Sequence, residues 1–219
     1  GVGLILFAGL TYSFRAHPIT LGLFTGILLF FTIGLHGLLS NVLYQQRTFF
    51  GVHSVRAATM PNEQQKPENY HELYHGTTKH GAERLSAAQL LKPLMYYSRP
   101  GPMGQLFSEF DGENTQWTIG VVGLGAGALV CYIKPQQHWT MYEIDPTVVA
   151  IASNPKYFHY LDRCGQRLQM RVGDARLSLQ KEPAQHFDLL VLDAFSSDAV
   201  PTHLLTQEQI DALFERAEV

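Results

Sequence analysis

A short apolar strand followed by a glycine-rich turn occupies residues 118–127, which read Thr118-Ile119-Gly120-Val121-Val122-Gly123-Leu124-Gly125-Ala126-Gly127. The run of apolar residues that ends at Val122 predicts a buried strand. The glycines that follow, Gly123, Gly125 and Gly127, allow a tight turn and a close approach of the backbone to a ligand at the start of the next helix. The stretch therefore predicts the first strand and the ligand-binding turn of a parallel α/β sheet.

Acidic residues follow this turn at the ends of later apolar strands. Glu143 lies about 20 residues past the turn, where ribose hydroxyls are usually held, and Asp145 follows it. Asp174 comes after another strand, in a position that also suits a helix N-cap, so ligand contact and capping are both open. Ligands of an open α/β sheet lie beyond the carboxyl ends of its strands. The predicted nucleoside-binding residues are Gly123, Gly125, Gly127, Glu143, Asp145 and Asp174.

Two further carboxylates, Asp193 and Asp198, belong to an apolar strand that runs into a Ser-rich loop over residues 187–201. Carboxylates beside such a pocket suit a cationic substrate, and one of them can remove a proton from an amine before it attacks an electrophilic carbon. We predict both as catalytic residues. Capping of a turn is the alternative role, and it is stronger for Asp198.

A different motif, His71-Glu72-Leu73-Tyr74-His75, matches the His-Glu-x-x-His pattern of zinc proteases. That chemistry needs both histidines on one face of a helix. Gly76 follows the motif at once, which favours a strand, and a strand would separate the two histidines by about 13 Å. The sequence therefore predicts no metal site.

The N-terminal part of the chain is strongly apolar. Residues 18–43 contain no Asp, Glu, Lys or Arg, which predicts a transmembrane helix. Residues 1–14 are read as the end of an earlier, truncated helix, with a signal peptide followed by a core helix as the alternative. We expect contact with membrane lipid at a bacterial inner membrane, and a catalytic domain in the cytoplasm with reduced Cys131 and Cys164. The net charge of −3 without a basic cluster argues against nucleic-acid binding.

Three domains are predicted along the 219 residues. Residues 1–46 hold the membrane segment, and residues 47–112 hold a small antiparallel β-meander with a strand over 48–59, further strands over 70–85 and a Pro-rich loop over 93–104. Residues 113–219 form a Rossmann-like α/β domain, incomplete at its C-terminus, with strands near 118–123, 139–143, 168–172 and 187–192. The last predicted helix covers residues 206–218.

Five segments of the chain resemble the spermidine synthase-like polyamine aminopropyltransferases, in particular bacterial forms fused to a membrane segment. The matching segments are residues 73–81, 121–127, 142–146, 172–175 and 193–201. The resemblance implies a β-domain followed by a class I methyltransferase-like sheet, and decarboxylated S-adenosylmethionine as co-substrate without a metal. Glu143 would bind ribose, Asp174 would bind adenine, and Asp193 would orient and deprotonate putrescine, giving spermidine and methylthioadenosine.

One departure from the family bears on the donor. The family's turn carries an Asp that helps to hold the amine of the aminopropyl arm, and this chain has Ala126 there. The leading hypothesis is an aminopropyltransferase, with a methyltransferase that uses S-adenosylmethionine, or a catalytically silent nucleoside-binding membrane module, as alternatives. Tyr96, Tyr97 and His80 are predicted to contact the amine substrate, and a homodimer is the oligomer that we consider.

Overall fold

The computed structural model describes residues 12, 16–39, 41–62, 64–109, 116–195 and 206–217, with the side chains of 32–39, 208–209 and 212 left out. The chain divides into two compact units, with the boundary between Asn41 and Val42. The larger unit contains both sheets and the site. The predicted catalytic residue Asp198 lies outside the described residues.

Helix α1 covers Pro18–Leu39 in the smaller unit. It occupies most of the segment that the sequence predicts to cross a membrane. Within the part of the chain that the structure describes, however, no helix combines the length and the apolar character that a membrane crossing requires. The predicted transmembrane helix, and the membrane location that depended on it, are therefore not supported.

An antiparallel sheet of four strands opens the larger unit. Its strands are β1 (Val42–Thr48), β2 (Gly51–Pro61), β3 (Pro67–His75) and β4 (Thr78–Arg84), hydrogen-bonded in the order β1-β2-β3-β4. The predicted strand over 48–59 corresponds to β2, which lies inside the sheet rather than at its edge. The edge strand β1 begins inside the apolar run that predicts a membrane segment. Val42 and Leu43 belong to that run, but they alternate in exposure as strand residues do.

The Pro-rich connection after β4 is more regular than predicted. It contains a 3₁₀ turn at Met95–Tyr97 and the helix α2 at Pro102–Glu109. A proline at the first helical position has no amide hydrogen to leave unpaired, so Pro102 starts α2 rather than breaking it. The 3₁₀ turn buries Tyr97 and leaves Tyr96 exposed.

A parallel sheet of four strands follows, as the sequence predicts. It contains β5 (Thr118–Val122), β6 (His138–Glu143), β7 (Leu168–Val172) and β8 (Leu189–Leu192), in the order β7-β6-β5-β8. The connecting elements are a 3₁₀ helix (Ala128–Tyr132), α3 (Pro146–Ala152), α4 (Tyr160–Cys164) and α5 (Ala175–Leu179), and α6 (Gln207–Arg216) comes after β8. The strand order reverses at β5, which places a ligand crevice between the ends of β5 and β8.

Ala126 packs at the seam between the two sheets. It is 1% exposed, and it belongs to an apolar cluster with Val55, Leu73 and Phe158. A Cβ added to Gly81 on β4 would lie 2.6 Å from the Ala126 Cβ. The β-meander therefore closes directly on the glycine turn.

The two cysteines form a disulfide, so the prediction of reduced thiols is wrong. Cys131 lies in the 3₁₀ helix after the glycine turn and Cys164 ends α4, and their Cα atoms are 5.0 Å apart. The pairing escapes a sequence reading because 33 positions separate the residues, and the packing of α4 on the 3₁₀ helix brings them together.

Candidate active site

A cavity of about 390 Å³ opens at the carboxyl ends of β5, β6 and β8. The α/β domain supplies its carboxylates, and the antiparallel sheet supplies its histidines. The polar side chains that line it are those of His53, His75, His80, Tyr97, Tyr142, Glu143, Asp145, Asp174 and Asp193. No lysine or arginine is among the described lining residues, so the cavity suits a cationic ligand.

The glycine turn brings the backbone close to its neighbours. Gly123 has a φ of 104°, and a Cβ there would lie 2.3 Å from the carbonyl oxygen of Asp193. Gly125 has a φ of 55° and also lines the cavity. Gly127 is not among the lining residues, and a Cβ there would contact Leu161 instead. The turn thus needs glycine for the approach of β5 to β8 and for its left-handed backbone.

Glu143 ends β6 with its side chain buried at the cavity wall. Its Oε2 accepts a hydrogen bond from the amide of Leu124 at 3.1 Å, and its Oε1 accepts one from the amide of Asp145 at 2.9 Å. Burial raises the pKa of Glu143, while these amide hydrogen bonds oppose the shift. Each carboxylate oxygen has a second lone pair, so the oriented group retains acceptor capacity for two ribose hydroxyls.

Asp145 joins the two sheets as well as lining the cavity. Its Oδ1 caps α3 by accepting from the amide of Thr147 at 2.8 Å. Its Oδ2 accepts from the hydroxyl of Thr48 at 2.6 Å and from Nε2 of His53 at 2.9 Å. These bonds and the His53 charge lower the pKa of Asp145 against the opposing effect of burial. The carboxylate therefore positions the β-meander over the site.

Asp174 caps a helix and also borders the cavity, so ligand contact by its carboxylate stays a prediction. It caps α5, since its Oδ1 accepts from the amide of Arg176 at 2.8 Å, and it lines the cavity. Capping uses one of its oxygens, and the other has acceptor capacity for a ligand amine.

Asp193 follows β8 and pairs with Tyr97 across the cavity. The Tyr97 hydroxyl donates a hydrogen bond of 2.9 Å to Asp193 Oδ2. Burial raises the pKa of Asp193 to about 6, and the hydrogen bond from Tyr97 acts in the opposite direction. Burial, together with the charge of Asp193, also raises the pKa of Tyr97 well above its ordinary range. Near neutral pH the carboxylate is therefore ionised and is a suitable proton acceptor.

The predicted substrate contacts divide between the cavity and the surface. His80 and Tyr97 line the cavity, whereas Tyr96 is 63% exposed and is not among the lining residues. The two adjacent tyrosines point differently because the 3₁₀ turn separates their side chains. The prediction for Tyr96 is not supported by this placement.

Two histidines of the cavity escaped the sequence analysis as site residues. His53 and His75 lie on neighbouring strands, and their rings stack with centroids 4.7 Å apart. His53 has no recognisable motif around it, and neither the zinc-protease pattern nor the segment 73–81 assigns His75 to this cavity. The register of β2 with β3, which places His53 opposite His75, brings them together, and no pattern in the sequence indicates that register.

The zinc-protease pattern lies on strand β3, as predicted. The Nδ1 of His71 donates to the Tyr157 carbonyl at 2.8 Å, and the Nε2 of His75 donates to the Phe50 carbonyl at 2.8 Å. Among the residues that the structure describes, no group of three or more His, Cys, Asp or Glu side chains is arranged to hold a metal ion. The motif here supplies strand residues with separate partners.

The parallel sheet, its glycine turn and the order of its strands define a Rossmann-type α/β domain. Part of the sequence is also similar to that of a known protein. Over 93 residues the chain is 32% identical to a polyamine aminopropyltransferase of Vibrio vulnificus, a match that covers 40% of this chain and 30% of the relative. No family model matches the sequence. The resemblance to the spermidine synthase-like family is thus confirmed.

Solved structures show the same fold. A probable spermidine synthase from Corynebacterium glutamicum superposes with a TM-score of 0.61 at 16% identity, over 82% of this chain and 61% of that chain. Spermidine synthase from Thermotoga maritima gives a TM-score of 0.54 at 13% identity, over 81% of this chain and 54% of the other. A spermidine synthase in complex with the transition-state analogue AdoDATO gives 0.51 at 12% identity, over 81% and 53%. The chain spans less than two thirds of each relative.

Proposed function

We propose that this site transfers an aminopropyl group from decarboxylated S-adenosylmethionine to putrescine or a related amine. The observation that carries the proposal is the Asp193–Tyr97 pair, which faces a cavity lined by carboxylates. The 93-residue similarity to a polyamine aminopropyltransferase supports it. Glu143 would accept hydrogen bonds from the ribose, and Asp174 one from the adenine amine.

The arrangement of these residues suits a single nucleophilic substitution. The neutral amine nitrogen attacks the aminopropyl carbon that is bonded to the sulfonium sulfur. The new C–N bond forms as the C–S bond breaks, and both electrons of the C–S bond stay on sulfur, which leaves as the thioether methylthioadenosine. The proton lost by the amine goes to Asp193, whose burial brings its pKa to about 6, close enough to neutrality for general-base work. Tyr97 fixes the orientation of the accepting carboxylate.

The test is release of methylthioadenosine by the full chain when both substrates are supplied. Asp193→Asn removes the proton acceptor, so we expect kcat to fall by about 10²–10⁴-fold, the usual contribution of a general base. Asp162→Asn is the matched control, because Asp162 is an exposed residue of α4. If Asp193→Asn turns over at the wild-type rate, Asp193 is not the proton acceptor.

Ala126 favours a second candidate, a methyltransferase that uses S-adenosylmethionine. The buried methyl group of Ala126 offers no carboxylate to an aminopropyl ammonium. Calorimetric titration with the two donors in parallel separates the candidates. Tighter binding of the decarboxylated donor supports aminopropyl transfer, and tighter binding of S-adenosylmethionine supports methyl transfer. The homodimer stays a prediction.

A further inference from the structure

Tyr132 connects the glycine turn to the pair formed by Tyr97 and Asp193. It ends the 3₁₀ helix that begins directly after Gly127 of the turn. Its hydroxyl donates a hydrogen bond of 2.6 Å to the main-chain carbonyl oxygen of Tyr97. The side chain of Tyr97 in turn donates to Asp193 Oδ2 at 2.9 Å. A continuous series of contacts therefore runs from the glycine turn to the proposed proton acceptor.

The ring of Tyr132 is fixed by its packing against helix α2 and the Pro-rich connection. Phe107 of α2 stacks on it, with the ring centroids 5.0 Å apart and the planes inclined by 22°. The guanidinium carbon of Arg99 lies 5.4 Å from the centroid of the Tyr132 ring, which is within the range of a cation–π contact. The residue is 6% exposed. Because the ring is fixed, the position of its hydroxyl oxygen is fixed as well.

The Tyr132 hydroxyl remains a hydrogen-bond donor over the range in which Asp193 titrates. Burial raises the pKa of Tyr132, and the charge of Arg99 opposes this effect. A carbonyl oxygen only accepts, so the single hydrogen of the phenol is directed at the Tyr97 carbonyl. The bond therefore persists around pH 6, where Asp193 changes its charge.

The backbone that carries Tyr97 needs support from outside its own turn. Tyr97 ends a 3₁₀ turn that starts at Met95, and its amide donates to the Leu94 carbonyl at 3.2 Å. Hydrogen bonds of 3₁₀ turns have poorer geometry than those of α-helices. Met95 has a φ of 57°, and such a left-handed conformation of a non-glycine residue persists only where surrounding contacts hold the backbone. The hydroxyl of Tyr132 supplies one of these contacts two residues further along the chain.

We propose that Tyr132 is a positioning residue, whose hydroxyl holds the backbone of Tyr97 so that the Tyr97 hydroxyl meets Asp193. The inference rests on the proposed function, because it takes Asp193 as the proton acceptor. The coupling itself involves three side chains of this protein and needs no substrate. Without the Tyr132 hydroxyl, Tyr97 is free to move away from the carboxylate, which weakens the hydrogen bond that lowers the pKa of Asp193.

The experiment measures the pKa of Asp193 directly, by ¹³C NMR of its carboxyl carbon in the full chain, with Asp193→Asn to assign the signal. Tyr132→Phe removes one oxygen atom and keeps the ring that packs on Phe107. We expect this variant to raise the pKa of Asp193 by about half a pH unit, because the bond from Tyr97 is weakened but not removed. The acidic limb of the kcat/KM profile should move up by the same amount.

A double-mutant cycle separates positioning from a general loss of packing. Tyr97→Phe alone should raise the pKa of Asp193 by about one pH unit. Tyr132→Phe should add nothing in that background, because its effect passes through the Tyr97 hydroxyl. The other titratable side chains that line the cavity are present in all these proteins, so their direct effects cancel. They are His53, His75, His80, Tyr142, Glu143, Asp145 and Asp174.

Tyr160→Phe is the matched control. The hydroxyl of Tyr160 is also buried and also donates to a main-chain carbonyl, that of Ala82 at 2.9 Å. Its removal should leave the pKa of Asp193 unchanged. The positioning role is overturned if Tyr132→Phe leaves this pKa unmoved, if Tyr160→Phe moves it equally, or if Tyr132→Phe moves it again in the Tyr97→Phe background. The expected pKa shift in a chain that releases no methylthioadenosine would support the positioning role and refute the proposed function alone.

Discussion

Replacing Asp193 by asparagine should make the protein more stable while removing its proposed catalytic base. Burial raises the pKa of Asp193 from 3.8 to about 6, so the folded state binds this proton more tightly than the unfolded state. A shift of about two pKa units corresponds to about 3 kcal/mol. The wild-type protein loses this amount of unfolding free energy as the pH rises from about 4 to about 6. Asparagine mimics the neutral acid and still accepts from the Tyr97 hydroxyl.

Urea unfolding of the wild-type protein and of Asp193→Asn at several pH values measures the effect. Above about pH 6 the variant should be more stable by about 3 kcal/mol, and below about pH 4 the two proteins should agree. A chain of this size would show a rise in Tm of roughly 6–12 °C. Asp162→Asn, an exposed change that leaves Asp193 in place, should match the stability of the wild-type protein at every pH. Equal stabilities for the wild-type protein and Asp193→Asn at pH 8 would refute the assignment of a buried, destabilising carboxylate.

Three further predictions concern the site and its support. Tyr97→Phe removes the hydrogen bond that lowers the pKa of Asp193, so the acidic limb of the kcat/KM profile should move up by about one pH unit, and an unmoved limb would contradict the pairing. Glu143→Gln should weaken methylthioadenosine binding by roughly 10- to 100-fold in calorimetry, and unchanged affinity would exclude a ribose contact. Replacing Cys131 and Cys164 together by serine should cost about 3–4 kcal/mol of unfolding free energy, because the disulfide closes a long loop, and a loss below about 1 kcal/mol would count against the pairing.

The α/β domain could be predicted from the sequence because its signals are local. Residues 118–122 are a continuous apolar run before a glycine turn, and the structure forms β5 there. Asp174 follows a strand and precedes α5, and it caps that helix as its type and position indicate. In a parallel sheet the carboxyl ends of neighbouring strands meet at one edge. The sequence therefore predicts that Glu143, Asp174 and Asp193 lie near one another, and all three line the cavity.

The features that escaped prediction depend on contacts between distant parts of the chain. The stacking of His53 on His75 exists only through the register of β2 with β3, and no short motif contains both residues. Asp145 reads as a ligand-binding residue in sequence, but Thr48 and His53, about a hundred positions earlier, also contact its carboxylate. The sequence does not predict strand β1, because the first residues of this strand extend an apolar run. Composition alone does not show where a helix ends and a strand begins.

The contact between Gly81 and Ala126 restricts how this protein can change over time. A side chain larger than alanine at position 126 would meet the backbone of β4, and any side chain at position 81 would meet the Ala126 methyl group. Neither position can therefore accept a bulkier residue without a shift of one sheet against the other. An acidic residue at position 126 would therefore need a shift of β4 against the glycine turn, so one substitution there would not be enough to place a carboxylate in the turn.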